Sequence, residues 1–418
     1  MPSHGSVGDM RARGISLVVV IAAGLGPACT GAVAPTEWSD DDPDVEDDSD
    51  TPSDDDTPAG GRGGRGGSSG GGGAAVQPTS IGVSPFARRS ARMYARTVAA
   101  AFDGLGVDVQ EADLPADVAL GPFRVGSAKP PTGDDVARYA TVAARVGEAL
   151  AGKATELLAP CNRASTGDAA CVRQMLLARL PRLWRRSVRP EEADRLVTAV
   201  FTPLAKEHGF EIGLESVLAR ALLSPEIVYV TERGRPAAAF GEGALALDGE
   251  GLAARLSDFL TGAPPDTRLA ELGVKGMLND MATLRAEATR LLDSPAGQLR
   301  VKEFGRQWLH VDPVKFPSKS AYPEITPAVV TQMFTETDRF VDHVMRQGGA
   351  FEDLFRGTFT FATPELARLY GVAGGGPDHP RIDLGAPDDR AGIWSRALYL
   401  AHHSHFDDPR QAIHRGLY

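Results

Sequence analysis

The residues with the densest chemical potential lie at the end of the chain. His402, His403, His405 and His414 crowd the last seventeen residues, with Asp407, Asp408, Arg410 and Arg415 among them. His402 and His405 stand three apart, so both face one side if a helix continues through them. With Asp407 they compose a set that can hold zinc, copper or iron. His405 can act as a general base, and Arg410, His414 and Arg415 can hold an anionic ligand. The competing role is structural, because histidines at a helix C-terminus cap free carbonyls and complement the helix dipole. His310, beside the core-type Trp308, is weak evidence alone.

The three cysteines divide by position. Cys161 and Cys171 flank a polar turn, Asn162 to Asp168, between two helical patterns. In an oxidising compartment a disulfide is expected across it. Nine intervening residues do not suit a thioredoxin-like redox pair, which needs two. Cys29 instead follows Arg11, Arg13 and an apolar run from Ile15 to Leu25, which read as an export signal. That run has 11 residues, short of the roughly 20 that span a bilayer. Leu25-Gly26-Pro27-Ala28-Cys29 resembles a bacterial lipobox, although its Leu lies one position further out than usual. The resemblance implies lipidation at Cys29 and a membrane anchor. Ordinary cleavage near Ala28, with Cys29 incidental, is the alternative.

These residues need elements to position them. The chain has 418 residues and a formal net charge of −11, and 12 of its acids fall between Glu37 and Asp56 with no base among them. The remainder carries 43 acids against 44 bases, so the acidity belongs to one tract. A globally basic nucleic-acid binder is excluded, and Arg62 and Arg65 among glycines do not restore one. From Gly60 to Gly73 ten of fourteen residues are glycine, which together with the acids reads as a disordered tether. Beyond Ile81 the apolar periodicity is helical nearly everywhere, with few strand-like runs such as Ile227–Val230. The expected fold is all-α, with multi-helix domains following the tether.

The expected organisation has an export signal over 1–29 and an acidic, then glycine-rich, linker over 30–80. An N-terminal helical domain follows over 81–158, then a short helical domain over 159–235 carrying the cysteine turn. A central helical domain occupies 245–372, and 385–418 begins a C-terminal domain. Helix starts are expected at Asp134, Arg189-Pro190, Asp248, Pro295 and Thr326-Pro327, with stops at Gly262 and before Gly348. A final helix is expected from Ile393 to about His402. No P-loop, Gly-x-Ser-x-Gly or His-Glu-x-x-His is present, and the pairs Gly104/Gly106 and Gly241/Gly243 read as turns.

Several stretches resemble one family. They are Ala221–Tyr229, Leu252–Leu260, Phe304-Gly305-Arg306-Gln307-Trp308-Leu309 and Phe361–Gly371, together with Leu180–Leu196 and, more loosely, Arg88–Leu150. They look like the uncharacterised domains of large planctomycete and myxobacterial proteins, often called cytochrome-associated. Ser404-His405 and Ile413–Tyr418 resemble that family's Ser-His and Arg-Gly signature, with Gln411-Ala412 in place of Ser-Pro. The resemblance implies an extracytoplasmic setting, a c-type cytochrome partner and further sequence beyond Tyr418. No Cys-x-x-Cys-His occurs, so any haem belongs to a partner or to sequence outside this chain. The expected role is a lipid-anchored binding or interaction component of a surface complex. The alternative is a metal-dependent hydrolase or oxidoreductase using His402, His405 and Asp407.

Overall fold

A computed structural model describes residues 87–126, 130–237, 245–311, 324–385 and 390–403. Ser90 accepts from the Met93 amide and opens α1 (Ala91–Ala101), which buries Tyr94, Val98 and Ala101. Gly104 and Gly106 follow at positive φ, as turn residues. A two-stranded antiparallel hairpin, β1 (Val118–Leu120) and β2 (Phe123–Val125), precedes α2 (Gly133–Ala151). The cap of α2 is Thr132 in a capping box with Asp135, two residues before the expected Asp134, because the box satisfies two amides at once. The helix stops at Ala151, and a separate short helix covers Ala154–Leu158.

Cys161 and Cys171 are bonded, with Sγ atoms 2.09 Å apart. The polar turn they span closes into one helical turn, Arg163–Thr166, before α3 (Asp168–Trp184). Next come α4 (Pro190–Leu196), a π-helical segment over Val197–Phe201, α5 (Thr202–His208) and α6 (Phe210–Leu222). The π segment precedes Pro203, which has no amide to give the carbonyl four residues back, so the ladder widens there. Gly147 of α2 lies against α6, and a Cβ there would sit 2.7 Å from the Glu215 carbonyl oxygen. Only glycine permits that backbone approach. The strand-like Ile227–Val230 is instead mainly helical over Pro225–Val228, with Tyr229 bridging to Arg88. Pro225 at the helix start and the Ser224 carbonyl, which accepts from Ile227 and Val228, favour the turn over extension.

The second half repeats one starting device. Asp248 caps α7 (Gly249–Thr261), which Gly262 ends in the left-handed region, as expected. Asp266 caps α8 (Thr267–Val274) and Asp280 caps α9 (Met281–Asp293). Ser294, Thr326 and Thr363 each cap a helix whose first residue is proline. Those helices are α10 (Pro295–Trp308), α11 (Pro327–Arg346) and α12 (Pro364–Tyr370). A hydroxyl takes an orphan amide while proline needs none, so the boundary is sharp. The antiparallel pairs β3/β4 (Gly234–Pro236 with Leu245–Leu247) and β5/β6 (Phe359–Phe361 with Arg381–Asp383, on either side of α12) complete the strands among the described residues. The last helix, α13 (Ala397–His402), is shorter than expected because Ile393–Ser395 forms a separate 3₁₀ turn. The described body is therefore all-helical apart from short two-stranded sheets.

Three apolar clusters hold it. The largest joins α1, α2, α3 and α6 through Tyr94, Leu150, Leu180 and Leu218. A second joins α10, α11, α12 and α13 through Val301, Phe340, Leu366 and Leu398. A small one packs Ala253, Leu269, Leu278 and Leu291 of the central helices. Each fully buried Leu contributes about 1.5–3 kcal/mol. The first cluster meets α7 through a buried ion triad, in which Asp258 accepts from Arg89 and from Arg185, the latter at 2.8 Å. Arg185 also donates to Thr97 Oγ1 at 2.7 Å. Burial lowers the Arg185 guanidinium to about 10.

Candidate functional site

An open groove of ≈ 1470 Å³ runs between α1, the segment preceding α2, and α10, and reaches the end of α13. One wall comes from α1, where Arg92 and Arg96 are four apart and share a face. The facing wall is α10, where Arg300, Glu303 and Gln307 share a face by the same spacing. Glu303 joins the walls. Its Oε1 accepts from Arg96 and lies 3.2 Å from Arg92 Nη1, and its Oε2 lies 3.8 Å from Arg300 Nη1. Arg92 also reaches Glu111 at 2.7 Å, and Arg96 reaches the Thr261 carbonyl at 3.3 Å. Burial lowers the Arg300 pKa; Glu303 opposes that shift, and the positive charges of Arg96 and Arg92 reinforce it.

The β1/β2 hairpin attaches along α10. Gln307 Oε1 accepts from the Arg124 amide at 2.9 Å, and Phe123 stacks on Phe304 with ring centroids 5.6 Å apart. From Phe304 the ring contacts continue to Trp308, then to Trp394. Arg306, which also lines the groove, is held by Asp338 through two bonds of 3.0 and 2.7 Å. The acids of the opposite end have partners of their own. Asp134 pairs with Arg138, Asp135 lies 3.5 Å from Arg88, and Asp117 accepts from the Ala91 amide.

His310, His402 and His403 all line this groove. The structure thus joins His310, unremarkable alone, to the C-terminal histidines. His403 is the C-cap of α13, and its Nε2 lies 2.8 Å from the Leu309 carbonyl, while its ring packs on Tyr399. It serves the capping role anticipated for this cluster, with the carbonyl drawn from another element. Burial lowers the pKa of His310, which sits at a φ of 51°.

The helix ends at His402, so the spacing that would set His405 beside it stops there. His405, Asp407, Arg410, His414 and Arg415, and Cys29 at the other end, lie outside the described residues, as do Gly241 and Gly243. Among the described residues no group of three His, Cys, Asp or Glu is placed to hold a metal ion, and no helix is long and apolar enough to cross a membrane. The arginine wall escaped sequence reading. Its signal was the pair of helical spacings, Arg92/Arg96 and Arg300/Glu303, on segments some two hundred residues apart.

A second polar centre lies inside the α11–α13 core. Glu336 is 0% exposed, and its Oε1 accepts from the hydroxyls of Thr360 and Tyr370, the latter at 2.6 Å. The Tyr370 hydroxyl in turn accepts from the Ala397 amide at 2.7 Å. Arg396, also 0% exposed, donates to the Gly357 carbonyl at 3.0 Å, and its guanidinium lies 4.3 Å from the Phe340 ring centroid. Glu336 Oε2 and two Arg396 nitrogens have no hydrogen-bond partner among the described residues. Burial pushes the Glu336 carboxyl up, against its hydroxyl donors and the charges of Arg396 and Arg390.

Residues 247–372 match the family described as PSD4, protein of unknown function (DUF1592). The match runs from the end of β4 to just past α12. It contains the α10 wall of the groove and Glu336, but neither the α1 wall nor Arg396. No curated protein and no solved structure matches the chain. The chain is thus a mainly helical protein whose residues 247–372 match a family of unknown function, and its groove is built partly inside and partly outside the matched region.

Proposed function

We propose that this protein is an exported, lipid-anchored interaction component that engages a partner through the α1/α10 groove. The observation that carries the binding reading is the groove itself. It is open, larger than the about 300–1,000 Å³ typical of small-molecule pockets, and lined by partly exposed guanidinium, amide and imidazole groups. The anchoring part rests on the apolar run, Ala28-Cys29 and the long polar stretch beyond it. The family resemblance supplies a c-type cytochrome as the partner to test.

A photo-crosslinking residue at Gln307, introduced in the producing organism, is expected to give a discrete adduct, and haem staining of that adduct tests the cytochrome. The same residue at the exposed Lys275 is the control. Equal labelling at both positions, or none at Gln307, would sink the binding reading. Cys29→Ser is expected to release the protein from the membrane fraction, and its retention there would sink the anchor.

The second reading, a metal-dependent enzyme using His402, His405 and Asp407, draws support from one observation. His310 and His402 line the same groove. Stoichiometric zinc, copper or iron in the purified full chain, lost in His402→Ala, would favour it. Sub-stoichiometric metal would remove it.

A further inference from the structure

We infer that the groove's occupant is an acidic peptide segment whose carboxylates are held by Arg92, Arg96 and Arg300. This rests on the groove being the binding face, as proposed above. Three guanidinium groups converge on the single carboxylate of Glu303. Glu111 and Asp117 also act on Arg92, so these three arginines face three carboxylates, and Arg124, whose side chain makes no ion pair among the described residues, leaves one positive charge in excess. Glu303 is the most enclosed member of the cluster, with its side chain 11% exposed, while Arg92 and Arg300 are 39% and 36% exposed. The arginines therefore present their charge to the groove more than Glu303 does. Acids at the far end of the groove are bound to Arg88 and Arg138, so they do not neutralise this end.

The chemistry of the cluster selects carboxylates. A guanidinium presents a planar fork that matches a carboxylate with two parallel donors. Glu303 shows that geometry already in use, since Arg96 reaches both of its oxygens. At ≈ 1470 Å³ the open groove is too large for one small anion and suits an extended chain with several acids. The Phe123–Phe304 stack beside the cluster offers an apolar surface for the methylene stems of Glu side chains.

The test titrates fluorescein-labelled hexaglutamate into the purified full chain. Saturable binding is expected, weakening as salt rises, because partly exposed charges are screened. Hexaglutamine should not bind. Arg300→Gln and Arg92→Gln should each weaken hexaglutamate by roughly fivefold or more, in line with loss of one charge-assisted contact. Glu303→Gln should strengthen it, whereas a merely structural Glu303 would give weaker binding. Thermal unfolding checks each variant's fold, and either arginine variant suffices if the other is destabilised. Unchanged affinity in a folded arginine variant would overturn the inference, and so would equal binding of hexaglutamine. Displacement of hexaglutamate by equimolar inorganic phosphate would overturn the peptide assignment. A Gln307 adduct that persists in excess hexaglutamate would sink this inference and leave the binding reading standing. Absence of any Gln307 adduct would remove both.

Discussion

The two large cores of this body are built on opposite terms. Around Leu150, Leu180 and Leu214 the first core is built of apolar side chains, with buried arginines at its edges, Arg89 and Arg185 toward α7 and Arg88 toward Asp135. The second places a carboxylate and a guanidinium, Glu336 and Arg396, at zero exposure among Phe340, Leu366 and Leu398. The first draws its stability from area removed from water and from a covalent staple between Cys161 and Cys171. The second gives up part of that gain to keep ionisable groups buried, and buried polar networks tie a core to one arrangement only when nearly every member is satisfied. One core should therefore ignore pH, and the other should respond to it.

Breaking the seam between the first core and α7 has the largest expected effect. Asp258→Ala leaves Arg89 and Arg185 buried without their shared carboxylate, at a cost of about 3–5 kcal/mol. Urea unfolding should then resolve the first core from the rest, and a loss under about 1 kcal/mol would show that water satisfies both arginines. Next in size is the staple. Cys161→Ser with Cys171→Ser should cost about 2–4 kcal/mol, and the loss should fall on the first core alone. A reducing agent should reproduce it in the unaltered protein, and no shift under reduction would dismiss the staple.

The smallest effect sharpens the contrast in pH. The folded-state pKa of Glu336 is raised, so its contribution is fully present below the ordinary Glu pKa of about 4.3 and declines as pH rises through the raised value. Glu336→Gln keeps acceptance from Thr360 and Tyr370 but cannot ionise. The melting temperature of the unaltered protein, relative to this variant, should fall as pH rises above the ordinary Glu pKa of about 4.3. Parallel curves would show that Glu336 does not titrate on unfolding, and the contrast between the cores would then lose its pH component.

Helix starts were the most legible feature of the chain. Asp248, Arg189-Pro190, Pro295 and Thr326-Pro327 mark real starts because a cap is a local event settled by three or four neighbouring residues. Asp134 misled because Thr132 and Asp135 satisfy two amides together, which a single acid cannot. Ile227–Val230 misled because β-branched residues after a proline suit either state, and backbone contacts decided it. The groove was not legible. Arg92 and Arg300 are ordinary amphipathic arginines until packing sets α1 against α10, and no local pattern encodes that approach. Glu336 and Arg396 were invisible for a related reason, since each reads as a surface residue until packing turns a helix face, or the start of α13, inward.

The row of rings along α10 has an optical consequence. Trp308 and Trp394 stand with ring centroids 5.8 Å apart and planes inclined at 60°, and Phe304 stacks on Trp308 at the groove's edge. Two indoles so close and so inclined couple their electronic transitions. The protein thereby carries a chiral chromophore pair whose Trp308 follows Gln307 directly in the chain, and its near-ultraviolet circular dichroism would register a ligand entering the groove without any added label.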